Sequence, residues 1–414
     1  MLATVRTGLV ALCIGFVAPV PVHGQDLAVG DVVRLVQRDL GIPAHPDVGD
    51  NRISRRIPAG AIVTIGAFGA PPRENWVRID FDGVEDWIVS KYVDAIVGTG
   101  AVPQHVVVGC WNLEHFNGSS RGFPETPGAF GRRNATQIQA IADTITNDLG
   151  ASLLVLEEIR GEMRFDPDLG EDVPVSDHLQ ELVDAMSGTW AYVLGRSGNT
   201  QRVAFLYDTS VVRVNEVVEW DVPARIIEGA DIFARNPIAA HVTLLQGAQA
   251  RNDLIVVGLH LASGQSRDDN HDAAIEELLR RLDQARAAGQ LGGAAEQDVL
   301  LMGDLNANMF SPPAEQFFVD FETPGSAWDV LADDVYPATR LSGNPLGLAN
   351  SRIDYIIAST AGGGRTGLVG DEILADSANV HTELLTARPP DRFRADLSDH
   401  LPVTVEIALV PDND

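Results

Sequence analysis

The stretch "LLMGDLNAN", Leu300–Asn308, decides how the rest of the chain is read. An apolar run leads straight into Gly-Asp-Leu-Asn. Apolar residues closed by a glycine are the pattern of a buried strand that stops at Gly303. In open α/β sheets the ends of such strands are where ligands gather. If the chain stays extended, Asp304 and Asn306 face the same way. One brings a charge and the other a neutral donor and acceptor. That pair suits a hydrated metal and a phosphate oxygen. Asp and Asn are also common turn formers. On this stretch alone, a turn and a site are equally open.

Outward from Leu300 the chain alternates strands and helices. Strand patterns read "HVVVGCW", "SLLVLEE", "WAYVLG", "VAFLYD", "IAAHVTLL" and "LIVVGLHLA" upstream, then "RIDYIIAS" and "LPVTVEIAL" downstream. Between them lie helical stripes. Ile138, Ile141, Ile145 and Leu149 share one face, and Gly150 stops that helix. Ser176 caps a second, with Leu179, Leu182, Val183 and Met186 inward. Ile275, Leu278, Leu279 and Leu282 form a third stripe. Long apolar strands with helices between them imply sheets covered by helices. Stretches 117–132 and 161–175, rich in Gly, Pro and charge, read as loops that rim a substrate site.

Polar residues recur where these strands end. Asn112 follows "GCW". Glu157, Glu158 and Arg160 follow "LLVL". His260 ends "VVGL", Asp354 lies in "RIDYII", and Asp399 and His400 precede "LPVTV". Each has a bland reading alone: a turn, a cap, or a histidine satisfied within the core. Glu157 and Glu158 would face opposite sides of a strand, so one can simply be solvated. Six such ends in one region point instead to metal-assisted hydrolysis of a phosphoester. Hard oxygen ligands suit Mg2+ first, with Mn2+ or Ca2+ as other choices. Zinc fits poorly, because no cysteine cluster or His-x-x-x-His spacing occurs.

Composition sets limits. The 414 residues are enough for two domains or more, and the formal net charge is −28. Such a surface repels polyanions at long range. It disfavours a tight nucleic-acid binder but not an enzyme that reaches phosphate through a cation. Residues 1–24 read as a secretory signal: Arg6, an apolar run from Gly8 to Val17, Pro19 and Pro21, with cleavage before Gln25. The run is too short to span a bilayer. Cys13 lacks the small residue that a lipoprotein signal needs ahead of its cysteine. The expectation is an exported periplasmic or secreted protein with no transmembrane segment in its mature chain. Cys110 is then the one cysteine left, and it reads as a small buried hydrophobe.

Residues 25–97 read as a small β domain of short strands, 98–104 as a linker, and 105–410 as the main domain. "IPAGAIVTI … NWVRIDFDGVEDWIVSKYV" resembles the bacterial SH3-like domain, with Asp86 where that family has glycine before its tryptophan. Trp76, Trp87 and Tyr92 read as its core. The resemblance implies a cell-wall or peptide ligand.

The main domain resembles the endonuclease/exonuclease/phosphatase superfamily. "WNLEHF", "LEEIR", "RVAFLYD", "LHLAS", "GDLNAN", "RIDYII" and "SDHLPV" occur in that superfamily's order. The implied fold class is α/β (α+β): a four-layered DNase I-like sandwich of two mainly antiparallel sheets flanked by helices. The resemblance makes Asn112, Glu158 and Asp399 metal residues, with Glu157 standing where glutamine is usual. It makes Asp304 and Asn306 the pair that aligns water and phosphate. Asp354 orients His400, and His260 does acid/base work. Arg160, Gln201 and Arg202 become substrate-side residues, Gln201 replacing the carboxylate that would orient His260. The implied activity is an exported, divalent-metal-dependent phosphodiesterase, foremost a nuclease acting on DNA or RNA. The alternatives are a lipid or sugar phosphoesterase of the same fold, sphingomyelinase-like, and a non-catalytic envelope-binding protein.

Overall fold

The computed structural model describes residues 105–116, 133–167, 170–198, 201–220, 226–227, 230–233, 235–247, 249–263, 268–310, 316–323, 325–331, 337–343, 346–349, 351–360, 367–369, 372–374 and 377–410, and before them strand residues 21–22, 25–26, 32–35, 42–44, 55–57, 62–68, 76–81, 84–89 and 93–98. The chain divides into two compact units, the first made mostly of Met1–Pro103 and the second of Gln104–Leu244 and Arg251–Asp414.

In the first unit five strands pair antiparallel in the order Val84–Val89, Trp76–Phe81, Ile62–Phe68, Val32–Leu35, Val93–Gly98. Ile79 and Ile88 are buried, and Trp76 and Trp87 are half-buried. Tyr92, Cys13 and nearly all of the leader-like segment 1–24 lie outside the described residues; Pro21–Val22 pairs with Gln25–Asp26.

The second unit holds two six-stranded sheets. Its strands are β1 (His105–Phe116), β2 (Ala151–Ile159), β3 (Trp190–Leu194), β4 (Arg202–Asp208), β5 (Val212–Glu219), β6 (Ile238–Gln246), β7 (Gln249–His260), β8 (Val299–Asp304), β9 (Trp328–Val330), β10 (Asp354–Ser359), β11 (Asn379–Val380) and β12 (Val403–Ala408). Sheet one runs β3-β4-β2-β1-β12-β11 and sheet two runs β5-β6-β7-β8-β10-β9. Each is antiparallel except for a central parallel pair, β1 with β2 and β7 with β8. The arrangement is the DNase I-like one.

Alternation along the strands sorts side chains into layers. Val256, Leu300, Met302, Ile356 and Ala358 of sheet two join the core of sheet one. Gly258 faces Val155 and Val203 across the gap. Ile255, Val257, Val299, Leu301 and Ile357 turn outward, under the helix Asp268–Ala287 and the short helix Gln316–Phe321. Each such side chain, fully buried, stabilises the fold by roughly 1.5–3 kcal/mol.

The expected helices form. Asn134 caps Ala135–Asp143 through a capping box with Gln137, and the helix runs on as a π turn to Asp148. Ser176 accepts from the Leu179 N–H at 3.3 Å. The stretch expected as a loop at 161–175 is largely a hairpin, Glu162–Asp166 with Glu171–Val175. Its charges hide the period-two pattern, because both of its faces meet water. The other expected loop, 117–132, lies outside the described residues. Among the described residues no helix is long and apolar enough to cross a membrane.

Candidate active site

The same alternation that builds the inter-sheet core also builds the site. Cys110 points between the sheets, its thiol on the Tyr355 carbonyl. Two residues on, Asn112 points the same way. His260 follows Val256 and Gly258, and Asp304 follows Leu300 and Met302. Register brings them level: Asn112 pairs with Glu157, His260 with Asp304, and Asp304 with Asp354. All five are buried.

The Asn112 Nδ2 donates to Asp304 Oδ2 at 3.1 Å and to Glu158 Oε1 at 3.5 Å. Its Oδ1 accepts from the Glu114 N–H at 2.9 Å. Asn112 therefore presents its NH2 to two carboxylates and spaces them. An amide oxygen has two lone pairs, so the hydrogen bond from Glu114 leaves one for a cation, as the expected metal role needs.

Period two would aim Glu158 away from Asn112. Its left-handed backbone, φ 61°, turns it back. Glu114 (φ 42°) and His115 (φ 51°) are left-handed as well. For residues with a Cβ each costs about 1–2 kcal/mol. The strand order breaks here, with a register shift between Asn112 and Phe116.

Asp354 accepts from His400 Nδ1, both oxygens at 3.0 Å, as expected. Ligand-type atoms of Asp304, Asp354 and His400 lie within 4.8 Å of one another. Burial, and then the Asp354 charge, push the Asp304 carboxyl up to about 7. Burial alone would pull His400 down, but the Asp354 charge and hydrogen bond, then Asp399 and Asp304, hold it at about 10. Asp399 sits against His400 Nε2 (3.7 Å), Arg394 (3.8 Å) and Arg340 (3.6 Å). Arg394 is itself locked by a bidentate pair with Glu114. Trp111 Nε1 donates to the His400 carbonyl at 2.8 Å, and Ser398 Oγ donates to the Asn112 carbonyl at 2.5 Å.

Beside this centre the chain turns sharply after Asp304. The Asn306 N–H donates to Asp304 Oδ1 at 2.9 Å, with Asn306 at φ 50°. Its Nδ2 donates to the Leu261 carbonyl at 3.0 Å. The extended reading of Asp304 and Asn306 is thus corrected: a turn and a site coincide, and Asn306 fixes the Asp304 carboxylate through its backbone. His260 Nε2 faces Asp304 Oδ2 at 3.6 Å, and its Nδ1 has no partner among the described residues. Burial, then Arg235, push its ring well below the usual histidine range.

Gln201 does not orient His260. Its Oε1 accepts from Arg235 and its Nε2 lies 3.4 Å from His115 Nδ1. Nor is Arg202 a phosphate residue. It is buried and donates to the carbonyls of Gly195 and Arg196. It opens β4, whose inner face is core, and backbone oxygens satisfy it there. Arg160 is half-buried, one residue past β2, with its N–H on the Phe116 carbonyl at 3.3 Å. His115, Arg235, Arg340 and Arg394 escaped the sequence reading. Only His115, three residues after Asn112, carried a local signal.

Glu157 lies under this floor. It is fully buried, and neither carboxyl oxygen meets a hydrogen-bond partner among the described residues. Burial, then Asp354 and Asp304, push it well above the usual carboxylate range.

The donor set fits a divalent cation. Hard carboxylate oxygens cluster here, and burial, then the Asp354 charge, hold Asp304 up near neutrality, where a bound positive charge would favour its ionised form.

The chain is similar to an endonuclease/exonuclease/phosphatase family protein of Bacteroides thetaiotaomicron, at 16% identity, covering 73% of this chain and 94% of that one, with a TM-score of 0.45. The human Nocturnin catalytic domain with bound sulfate is similar at 13% identity, over 75% of this chain and 96% of that one, with a TM-score of 0.47. A mannosyl-6-phosphatase of Bacteroides thetaiotaomicron is similar at 17% identity, over 73% and 99%, with a TM-score of 0.44. Among curated proteins, mouse serine protease HTRA4 is 28% identical over 167 residues, 36% of this chain; the match spans about a third (33%) of that protein's length. Residues 109–400 match the model of the endonuclease/exonuclease/phosphatase family, from Gly109 in β1 to His400 at the site. The chain belongs to that family, whose members are phosphoesterases and nucleases.

Proposed function

We propose that the protein is an exported, divalent-cation-dependent phosphodiesterase that hydrolyses nucleic-acid backbones. The observation that carries this reading is Asp304, a buried carboxylate set between two imidazoles, His260 and His400, and spaced from Glu158 by Asn112. With its carboxyl held at about 7, Asp304 is a base poised near neutrality. It takes the proton of a water that attacks phosphorus, and the phosphorus–oxygen ester bond opposite breaks. His400, kept protonated through Asp354, steadies the negative charge on the phosphate. His260, kept neutral, offers an N–H to the departing oxygen, which then takes its proton from solvent water, while Asp304 releases the proton it took. That departs from the acid/base role expected of His260. Glu158 and Asp399 would hold the cation, Mg2+ foremost, which supplies positive charge at a non-bridging oxygen.

The leader-like residues 1–24 support export, and the antiparallel sheet of the first unit supports the SH3-like reading, with a cell-wall or peptide ligand.

The test is cleavage by the full chain of plasmid DNA, single-stranded DNA, RNA, sphingomyelin vesicles and p-nitrophenyl phosphate, with Mg2+, Mn2+, Ca2+ or EDTA. Cation-dependent cleavage of DNA or RNA that Asp304→Ala lowers at least ~10^3-fold is expected. Turnover of sphingomyelin or the monoester alone would sink the nucleic-acid reading and leave the site.

A further inference from the structure

We infer that Arg340 binds a second phosphate of the substrate, beside the one being cleaved, so that the site is built for a strand of linked phosphodiesters rather than for an isolated one. The inference rests on the nucleic-acid reading above.

Backbone register aims the side chain. Arg340 pairs antiparallel with His400. The Leu341 N–H donates to the Asp399 carbonyl and the Leu401 N–H to the Thr339 carbonyl, both at 2.7 Å. Those bonds flank the pair instead of joining it, which is the narrow kind of antiparallel pair, with its side chains closest. Residues opposite each other share a face. His400 faces the site, so Arg340 does too. Its Nε stands 3.6 Å from Asp399 Oδ2, and its side chain is 48% exposed. Among the described residues this ion pair is the side chain's one polar contact, and none of its five N–H groups makes a hydrogen bond.

The neighbouring guanidinium groups are already committed. Arg394 is locked by Glu114, and Arg133 donates to the Leu113 and Leu397 carbonyls. Asp399 is shared: its Oδ2 also faces Arg394 at 3.8 Å, and its Oδ1 faces His400 Nε2 at 3.7 Å. Arg392 matches Asp396 at 3.3 Å. Arg133, Arg340 and Arg394 therefore outnumber Glu114 and Asp399, and the surplus charge stands on Arg340, the most exposed of the three. In a chain of net charge −28 that is a local exception, and it suits an anion. A guanidinium fork with open donors fits a phosphate bidentately. The reacting phosphate belongs to His400, and the Asp399 carboxylate lies between His400 and Arg340. The fork therefore takes the next phosphate along the strand.

The experiment is a cleavage assay of the full chain on oligothymidylates and oligouridylates in which one phosphate at a time is replaced by an uncharged methylphosphonate. Wild type and Arg340→Ala are compared with Mg2+ or Mn2+, and folding is checked by thermal melts. In wild type, a methylphosphonate at one link flanking the cut should slow cleavage about 10- to 100-fold, the worth of a charge-assisted contact. Arg340→Ala should slow cleavage of the fully charged strand as much. In that variant the same methylphosphonate should cost under about 5-fold, because the two changes remove one contact. Arg340→Lys keeps the charge but not the fork. It replaces the alanine variant if that one melts early, with a smaller loss in the same pattern. Equal slowing by the methylphosphonate in wild type and variant, or no slowing at either flanking link in wild type, overturns the inference and leaves the nucleic-acid reading intact. No cleavage of either unmodified strand by wild type overturns both.

Discussion

The two central parallel pairs deliver residues to one site by different means. Where β7 and β8 end, the backbone is made to fit by glycine. Gly303, at φ +141°, lies so close to the neighbouring strand that an added Cβ would stand 2.0 Å from the Leu259 carbonyl oxygen. Where β1 and β2 end, no glycine eases the bend. Glu114, His115 and Glu158 take left-handed conformations with full side chains. The β8 end buys closeness by omitting a side chain, while the β2 end tolerates strain to aim one. Glu157 marks the meeting of the two, since its Oε1 fills the space against Gly303. Rigid floor and bent rim are thus separate devices, and they should fail differently.

The sharpest way to break this contrast is Gly303→Ala. It should cost more than about 3 kcal/mol of stability. Gly150→Ala, at φ +60° with open space around it, should cost only about 1 kcal/mol. Chemical denaturation measures both. Equal costs would mean that close approach at Gly303 does not matter.

A smaller effect is expected at Glu157. Its carboxyl is raised by burial, so the folded chain holds a proton that the unfolded chain releases. Stability is therefore lost as pH rises above the unfolded value of about 4.3. Glu157→Gln should stabilise by about 1–3 kcal/mol at pH 8 and by less at pH 5. Melting curves at the two pH values read this; a loss of stability at pH 8 would show that the ionised carboxylate holds something in place.

The smallest effect lies far from the site, in sheet two. His241 pairs with Asp253 at 2.6 Å, and the carboxylates of Glu296 first and Asp253 next, both facing its Nε2, raise it above its ordinary value despite burial. Its contribution is complete below the unfolded value of about 6.5 and disappears as pH climbs through the folded one. His241→Gln should lower stability by under about 1 kcal/mol at pH 6. The gap should close by pH 9; a gap that widens instead would refute the ion pair.

Much of this was legible in the sequence, because strand alternation carries the site as well as the core. Cys110 to Asn112, Gly258 to His260 and Met302 to Asp304 are all steps of two. Asp354 and His400 were paired by resemblance and meet as expected. What stayed hidden depends on distance in the chain or on backbone that leaves the period. Gln201 finds Arg235 and His115 rather than His260, and no local pattern encodes that. Arg202 read as a substrate-side residue, but its guanidinium is turned to backbone carbonyls. His115 was passed over because "NLEHF" reads as plain strand, whereas its residues curl.

One feature of sheet one bears on how the protein comes into being. β12 is an interior strand, held between β1 and β11, with Val403 beside Cys110. Trp111 bonds to His400 across 289 residues of chain. Such closure must wait until residues 400–408 have been made. During synthesis the early strands emerge without their neighbour, and the candidate site lacks Asp399 and His400. The two halves of the site are therefore joined only when β12 slots in beside β1.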